Sequence, residues 1–402
     1  MRARFSPRAA ARRERRVRIL FSLLAFLALA GAAPVATLAP DSEARWVAFD
    51  LTPGNQIRFA MTLDGRAVTA ILDTGVSMSV LARRYAAAQG LAITAGGRAT
   101  AIGGSVAVGR VDTATLAIGG LVRRGGTLAV VDLPAAATGG AAAVDLLVGR
   151  DLTAPFALDI DYAHRRFRFL PSGRMPFPGI AAPLSIAPDR LVYVSDVGLG
   201  GQRFQPVVVD TGDGSAVTLS HAAWARAMPA GTPATTTVSY GIAGAVVSGM
   251  AIVPELTVGR ATARDVEVRI EPPGGFSDTI RVAGRIGSGF LQRYRVLLDP
   301  AAGHMLLAAD PAAATAPVRS TSGLLLGVAR DRLKVLHVMR GGPAAAAGWR
   351  DGEAICAIDG IAIGPDYVGS AQAGWPTAAA GRAVALRMCD GAERRLTLRR
   401  FY

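Results

Sequence analysis

Two short stretches carry residues whose types could do chemistry together: Ile71-Leu72-Asp73-Thr74-Gly75 and Val207-Val208-Val209-Asp210-Thr211-Gly212. Each runs apolar residues into a carboxylic acid, a hydroxyl and a glycine. Two carboxylates held close together cannot both ionise cheaply, so one pKa falls and the other rises. Such a pair shares a proton. One member can take a proton from a bound water while the other gives one to a carbonyl oxygen. Direct attack by water needs no metal, no covalent intermediate and no cofactor, and none is expected here.

The elements that must position these acids are legible from spacing. The apolar residues before each acid read as a buried strand, and the glycine lets the chain turn sharply at its end. Asp73 and Asp210 stand 137 positions apart. Downstream, Leu146-Leu147-Val148-Gly149-Arg150-Asp151-Leu152 is answered by Gly284-Arg285-Ile286-Gly287-Ser288-Gly289-Phe290, and Gly149 and Gly287 stand 138 apart. So do Asp161 and Asp299. Three landmarks at one offset to within a residue mark a duplicated unit.

These residues resemble the aspartic proteases, and among them the retroviral-protease-like branch, over roughly Trp46 to Ala309. The apolar-Gly-Arg-Asp-Leu run at Val148 to Leu152 is similar to the retroviral form. The resemblance implies a mainly β fold: two pseudo-twofold-related β-barrel lobes, residues 40–180 and 181–310, each supplying one catalytic acid. It implies that Thr74 and Thr211 tie the two loops together and that Gly75 and Gly212 permit the turns. Related proteases place a hydroxyl where Ser77 stands, to hydrogen-bond the acid. Lobe two has Asp213-Gly214 there instead, with Ser215 one residue late. A hydrogen bond lowers a carboxyl pKa and a nearby negative charge raises it, so Asp210 is expected to be the protonated member. The Asp213-Gly214 departure also leaves open a second lobe that has lost competence.

Ala101-Ile102-Gly103-Gly104-Ser105 and Tyr240-Gly241-Ile242-Ala243-Gly244 occupy matching places in the two units. The resemblance makes Ile102, Gly103 and Gly104 a flap closing over substrate, with Tyr240 and Gly241 its counterpart. Phe49 to Leu72, alternating about Asp64-Gly65, reads as a hairpin. Residues 76–89 read as a short helix.

Net charge is +14. Half of it lies in residues 1–18, eight arginines against Glu14, and the rest is scattered arginine without interleaved aromatics. That distribution excludes a nucleic-acid surface as the first reading. The basic start runs into the apolar stretch Ile19 to Ala33, the pattern of a secretory signal. Residues 1–39 are therefore expected to be a cleaved signal peptide or an uncleaved membrane anchor. Gly31-Ala32-Ala33 and Thr37-Leu38-Ala39 both offer cleavage sites. The protein would be exported, periplasmic or secreted, or else anchored in the inner membrane facing the periplasm.

After a linker at 311–320, residues 321–402 resemble a bacterial PDZ domain. The resemblance rests on Leu326-Gly327-Val328, Gly342-Pro343-Ala344 to Gly348, Gly352-Glu353-Ala354-Ile355 and Ile358-Asp359-Gly360. It implies capture of a peptide's C-terminal carboxylate by the backbone at Leu326, Gly327 and Val328. Cys356 and Cys389 are either a disulfide or two buried thiols.

No G-x-S-x-G elbow, phosphate-binding loop or metal-ligand spacing occurs, and His164, His221, His304 and His337 are isolated. The resulting expectation is an aspartic endopeptidase acting on protein or peptide substrates, with the C-terminal domain recruiting them or regulating the cleft. A non-catalytic envelope adaptor built on a decayed protease fold is the alternative.

Overall fold

The computed structural model describes residues 35–140, 144–310 and 316–402. The expected leader lies outside the described residues up to position 34, as does the expected linker over 311–315. The described residues include positions 35–39 of the expected leader. Val35–Leu38 forms a strand that pairs with Leu121–Arg124 from Leu38↔Leu121 to Val35↔Arg124. Those four residues belong to the sheet, so the site at Thr37-Leu38-Ala39 falls within folded structure. Among the described residues no helix is long and apolar enough to cross a membrane.

The protein is mainly β, and the described strands form four sheets. Ile57–Leu63 and Arg66–Leu72 make the expected hairpin, with Asp64 and Gly65 both at positive φ in the turn. The second of these strands leads straight into Asp73. Leu146–Val148 lies parallel beside it, Leu147 opposite Ile71, and pairs on its other edge antiparallel with Val80–Ala82. The same arrangement recurs. Gln202–Asp210 leads into its acid, Gly284–Gly287 runs parallel beside it, and Val217–Leu219 pairs antiparallel with that. The duplication read from spacing is thus a duplication of strand pairing.

Alternation sends successive side chains to opposite faces. Leu72, Leu81, Leu146 and Val148, and in the second half Val207, Val209, Leu219 and Ile286, all join one continuous core. A six-stranded sheet joins the halves, where Ala157–Asp161 pairs antiparallel with Tyr294–Asp299. The helix expected over 76–89 is shorter, Arg83–Ala88. Val80–Ala82, buried on both faces and between two partners, is strand instead.

Residues 321–402 have their own core, built on Leu333, Val335, Trp349, Ile355, Trp375 and Val384. Pro343 opens a short helix at its first turn, where its missing N–H is harmless. A disulfide joins Cys356 and Cys389, with Cα atoms 5.0 Å apart.

Candidate functional site

The two triplets lock onto each other through their threonines. Thr74 Oγ1 donates to Val209 O (2.7 Å) and accepts from Thr211 N (3.0 Å). Thr211 Oγ1 donates to Leu72 O (2.7 Å) and accepts from Thr74 N (3.1 Å). Both threonines are fully buried, so these four bonds form away from water, where leaving any one unmade is costly. The grip fixes the acids. A Cβ on Gly75 would fall 2.4 Å from Asp210 Cγ, and one on Gly212 would fall 2.3 Å from Asp73 Cγ. Each carboxyl therefore rests against the other triplet's glycine, a contact that a side chain at either position would abolish.

The acids are held unequally. Asp73 Oδ1 accepts one backbone N–H, from Gly75 (3.0 Å). Asp210 Oδ1 accepts two, from Gly212 (2.9 Å) and Asp213 (3.0 Å). Burial raises both carboxyls. Asp210 is pushed up to about 6 by burial and by Asp213, with Arg285 and the two N–H groups pulling the other way. Asp73 is raised more strongly, by burial and then by the charge of Asp210 beside it. Both acids are thus raised and titrate as one pair that shares a proton.

Two local facts distinguish the two loops. Ser77 is exposed, and among the described residues it makes no hydrogen bond to Asp73. The hydroxyl that organises the first loop is Ser79, missed in the sequence. It is buried, binds Asp151 Oδ1 through N and Oγ (2.8 and 2.7 Å), and accepts from Gly149 N (3.0 Å). In the second loop the extra charge of Asp213 is compensated. Arg285 Nε donates to Asp213 Oδ2 (3.0 Å), and Arg285 Nη1 donates to Glu271 Oε1 (2.6 Å) and Ser277 Oγ (3.3 Å). Arg285 is only 4% exposed. Its charge holds the Asp213 carboxyl below the usual carboxylate range against the opposing effect of burial.

Gly214 has a structural reason too. A Cβ there would lie 1.6 Å from Gly54 O. The first half's 52–56 turn docks on this loop, where Asn55 Nδ2 donates to Gly214 O (3.1 Å) and Gln56 Nε2 to Gly212 O (2.8 Å). The Asp213-Gly214 sequence is an interface with the other half.

Both glycine-rich segments are hairpins. Thr94–Ala101 pairs with Gly104–Asp112, turning at Ile102-Gly103, and Thr235–Gly241 pairs with Gly244–Val258, turning at Ile242-Ala243. Their tips meet: Ala243 N donates to Ile102 O (3.2 Å), and a Cβ on Gly241 would lie 2.1 Å from Ile102 O. A Cβ on Gly103 would lie 3.0 Å from the Ala243 carbonyl carbon and from Gly244 N. Gly104, at φ 141°, opens the return strand. Tyr240 is half-buried, paired with Ala245 within its hairpin. The structure thus brings Ile102, Gly103 and Gly241 together. Ile242, which the sequence reading did not single out, reaches from its tip onto the first half's apolar cluster.

Leu326, Gly327 and Val328 are not a loop. They lie in the edge strand Leu324–Val328, opposite Val335, Lys334 and Leu333. The amides of residues 321–324, at the entry to that strand, already have acceptors. Thr321 N and Ser322 N donate to Pro376 O (2.9 and 3.0 Å), Gly323 N to Ser320 Oγ (3.0 Å) and Leu324 N to Ser322 Oγ (3.1 Å). The three positions expected to bind a carboxylate are thus strand, at the open edge of their sheet. The module instead touches the second hairpin: Thr235 Oγ1 donates to Arg340 O (2.9 Å), Arg340 N donates to Thr236 Oγ1 (3.0 Å), and His337 Nε2 lies 2.8 Å from that same oxygen.

No curated protein matches the chain. A family model does, over part of it. Residues 59–152, from the first hairpin through Asp73-Thr74-Gly75 to Asp151-Leu152, match the aspartyl protease family, which supports a peptidase.

Proposed function

We propose that the chain is an aspartic endopeptidase whose active site is completed by both halves. The observation that carries this is the reciprocal Thr74–Thr211 grip, with each carboxyl seated on the other triplet's glycine. Asp210, ionised first, takes a proton from a water bound between the acids. Asp73, protonated, gives its proton to the oxygen of the peptide carbonyl. The water oxygen bonds to the carbonyl carbon, producing a neutral gem-diol. Asp210 then gives its proton to the leaving nitrogen while Asp73 takes the proton of one gem-diol hydroxyl; the C–N bond breaks to a carboxylic acid and an amine, and one proton is again on the pair. The hairpin tips exclude water and align an extended peptide across the acids.

The C-terminal module fits a PDZ-like domain that regulates the cleft, since it grips the base of the second hairpin. An exported location accords with the basic and apolar start and with the disulfide. The test is cleavage of a peptide library by the full-length chain, beside Asp73→Asn and Asp210→Asn. Activity in the parent and its loss in both variants is expected. Cleavage that survives either substitution removes the dyad, and no cleavage by the parent returns the chain to an adaptor.

A further inference from the structure

The two halves put opposite chemistry on the same side of the same strands. Strand registers equate Val80 with Thr218, Ala129 with Arg269 and Leu147 with Arg285. One position beyond the pairs, Val131 answers to Glu271. These side chains face away from the shared core, and in the first half they form a second apolar cluster with Ile71. That cluster lies beneath the hairpin, since Val106 and Val108 of its own hairpin and Ile242 of the other pack onto it. It is thus an apolar face that the hairpins cover, beside the strand that leads into Asp73.

The matching wall beside Asp210 is polar. Arg285 is held by Asp213, Glu271 and Ser277 through Nε and Nη1 and is closed to solvent. Arg269 is not. Its Nε donates to Glu267 Oε1 (3.3 Å) and its Nη1 to Ser239 Oγ of the overlying hairpin (2.8 Å). Among the described residues its Nη2 has no bonded partner. The Arg269 and Glu267 side chains remain 24% and 26% exposed, which makes them the accessible surface of this wall. An apolar substrate side chain would strip water from Arg269 Nη2 and Glu267 Oε2 and leave those two atoms unpaired, the situation that makes polar subsites reject apolar ligands. A carboxamide both accepts and donates, so it can take an N–H from Arg269 and give one to Glu267 without placing a net charge beside either.

We infer that the enzyme prefers scissile bonds flanked by an apolar side chain against the Asp73 half and an asparagine or glutamine side chain against the Asp210 half. This rests on the protease reading above. The test is a library with both flanking positions randomised, cut by the full-length chain and by Arg269→Leu. The parent should enrich an apolar residue at one position and Asn or Gln at the other. Arg269→Leu should cut the best carboxamide peptide about 10–100-fold less efficiently in kcat/KM and shift that position toward Leu or Met. Arg269→Lys should recover part of the loss. Apolar or charged residues enriched at both positions, or an Arg269→Leu profile identical to the parent's, would overturn the inference while leaving the dyad standing. Absence of any cleavage would overturn the protease reading and this inference with it.

Discussion

The first and second halves fold the same strands around their acids but fill the space behind them differently. Leu147 stands in an apolar wall beside the strand of Asp73, and Val76 follows the acid by three residues. The corresponding places behind Asp210 hold Asp213 and Arg285, tied to Glu271. What both keep is the strand register, the threonine grip and a glycine under the opposing carboxyl. Catalytic geometry is therefore set by backbone pairing and by Thr and Gly, and the flanking side chains are free to diverge. They diverge on the cleft side only. On the core side both halves remain apolar.

That comparison can be broken most severely at Arg285. Arg285→Leu leaves Asp213 and Glu271 buried without their cation, a loss of about 3–5 kcal/mol in unfolding free energy. Converting the second half to the first half's residues, Asp213→Val with Glu271→Val and Arg285→Leu, should restore most of it, read by urea denaturation. If the triple variant is as unstable as the single, the network is not a dispensable filling.

The grip comes next. Thr74→Ala removes one donor and one acceptor from the buried reciprocal set, costing about 2–4 kcal/mol. Thr211→Ala should match it, because the bonds are symmetric. A large inequality between them would show that one half carries the interface.

Titration separates the halves more gently. Both acids have folded pKa values raised above 3.8. Each therefore favours the folded state fully only below its unfolded pKa, and that advantage is lost as pH rises through the folded value. Asp73→Asn should accordingly raise Tm relative to the parent increasingly as pH rises above about 4, and show little difference below it. The acid limb of kcat/KM should lie near 6, where Asp210 loses its proton, which makes a strongly acid optimum the contrary result. The smallest effect belongs to one of the two paired loop positions. Ser77→Ala, exposed and away from the acid, should change stability by less than about 0.5 kcal/mol. Its counterpart Gly214→Ala forces a Cβ into Gly54 O and should weaken the contact between halves.

Much of this was legible in the sequence. Spacing alone exposed the duplication, because a strand, its acid and the crossing segment must recur together. The glycine-rich hairpins followed from their position between those landmarks. What failed were inferences about side-chain direction. Ser77 has the right spacing for a supporting hydroxyl, but its loop turns it outward and uses Ser79. Arg285 was visible within the repeat. Only alignment with Leu147 through strand register reveals it as a charge on a buried wall, and that register is a tertiary fact. Leu326 to Val328 illustrate the reverse: an apolar run with one glycine reads as a loop motif, yet pairing with Leu333–Val338 makes it strand. Val35–Leu38 is likewise strand because Leu121–Arg124 offers it an edge, something local sequence does not announce.

The central claim is that one acid from each half shares a single proton. The most direct test is NMR titration of the Asp73 side-chain carboxyl in the full-length protein and in Asp210→Asn. The account predicts that Asp73 holds its proton well above the usual carboxylate range in the parent and releases it at markedly lower pH once Asp210 is neutral. An Asp73 that titrates at the same pH in both proteins would contradict it.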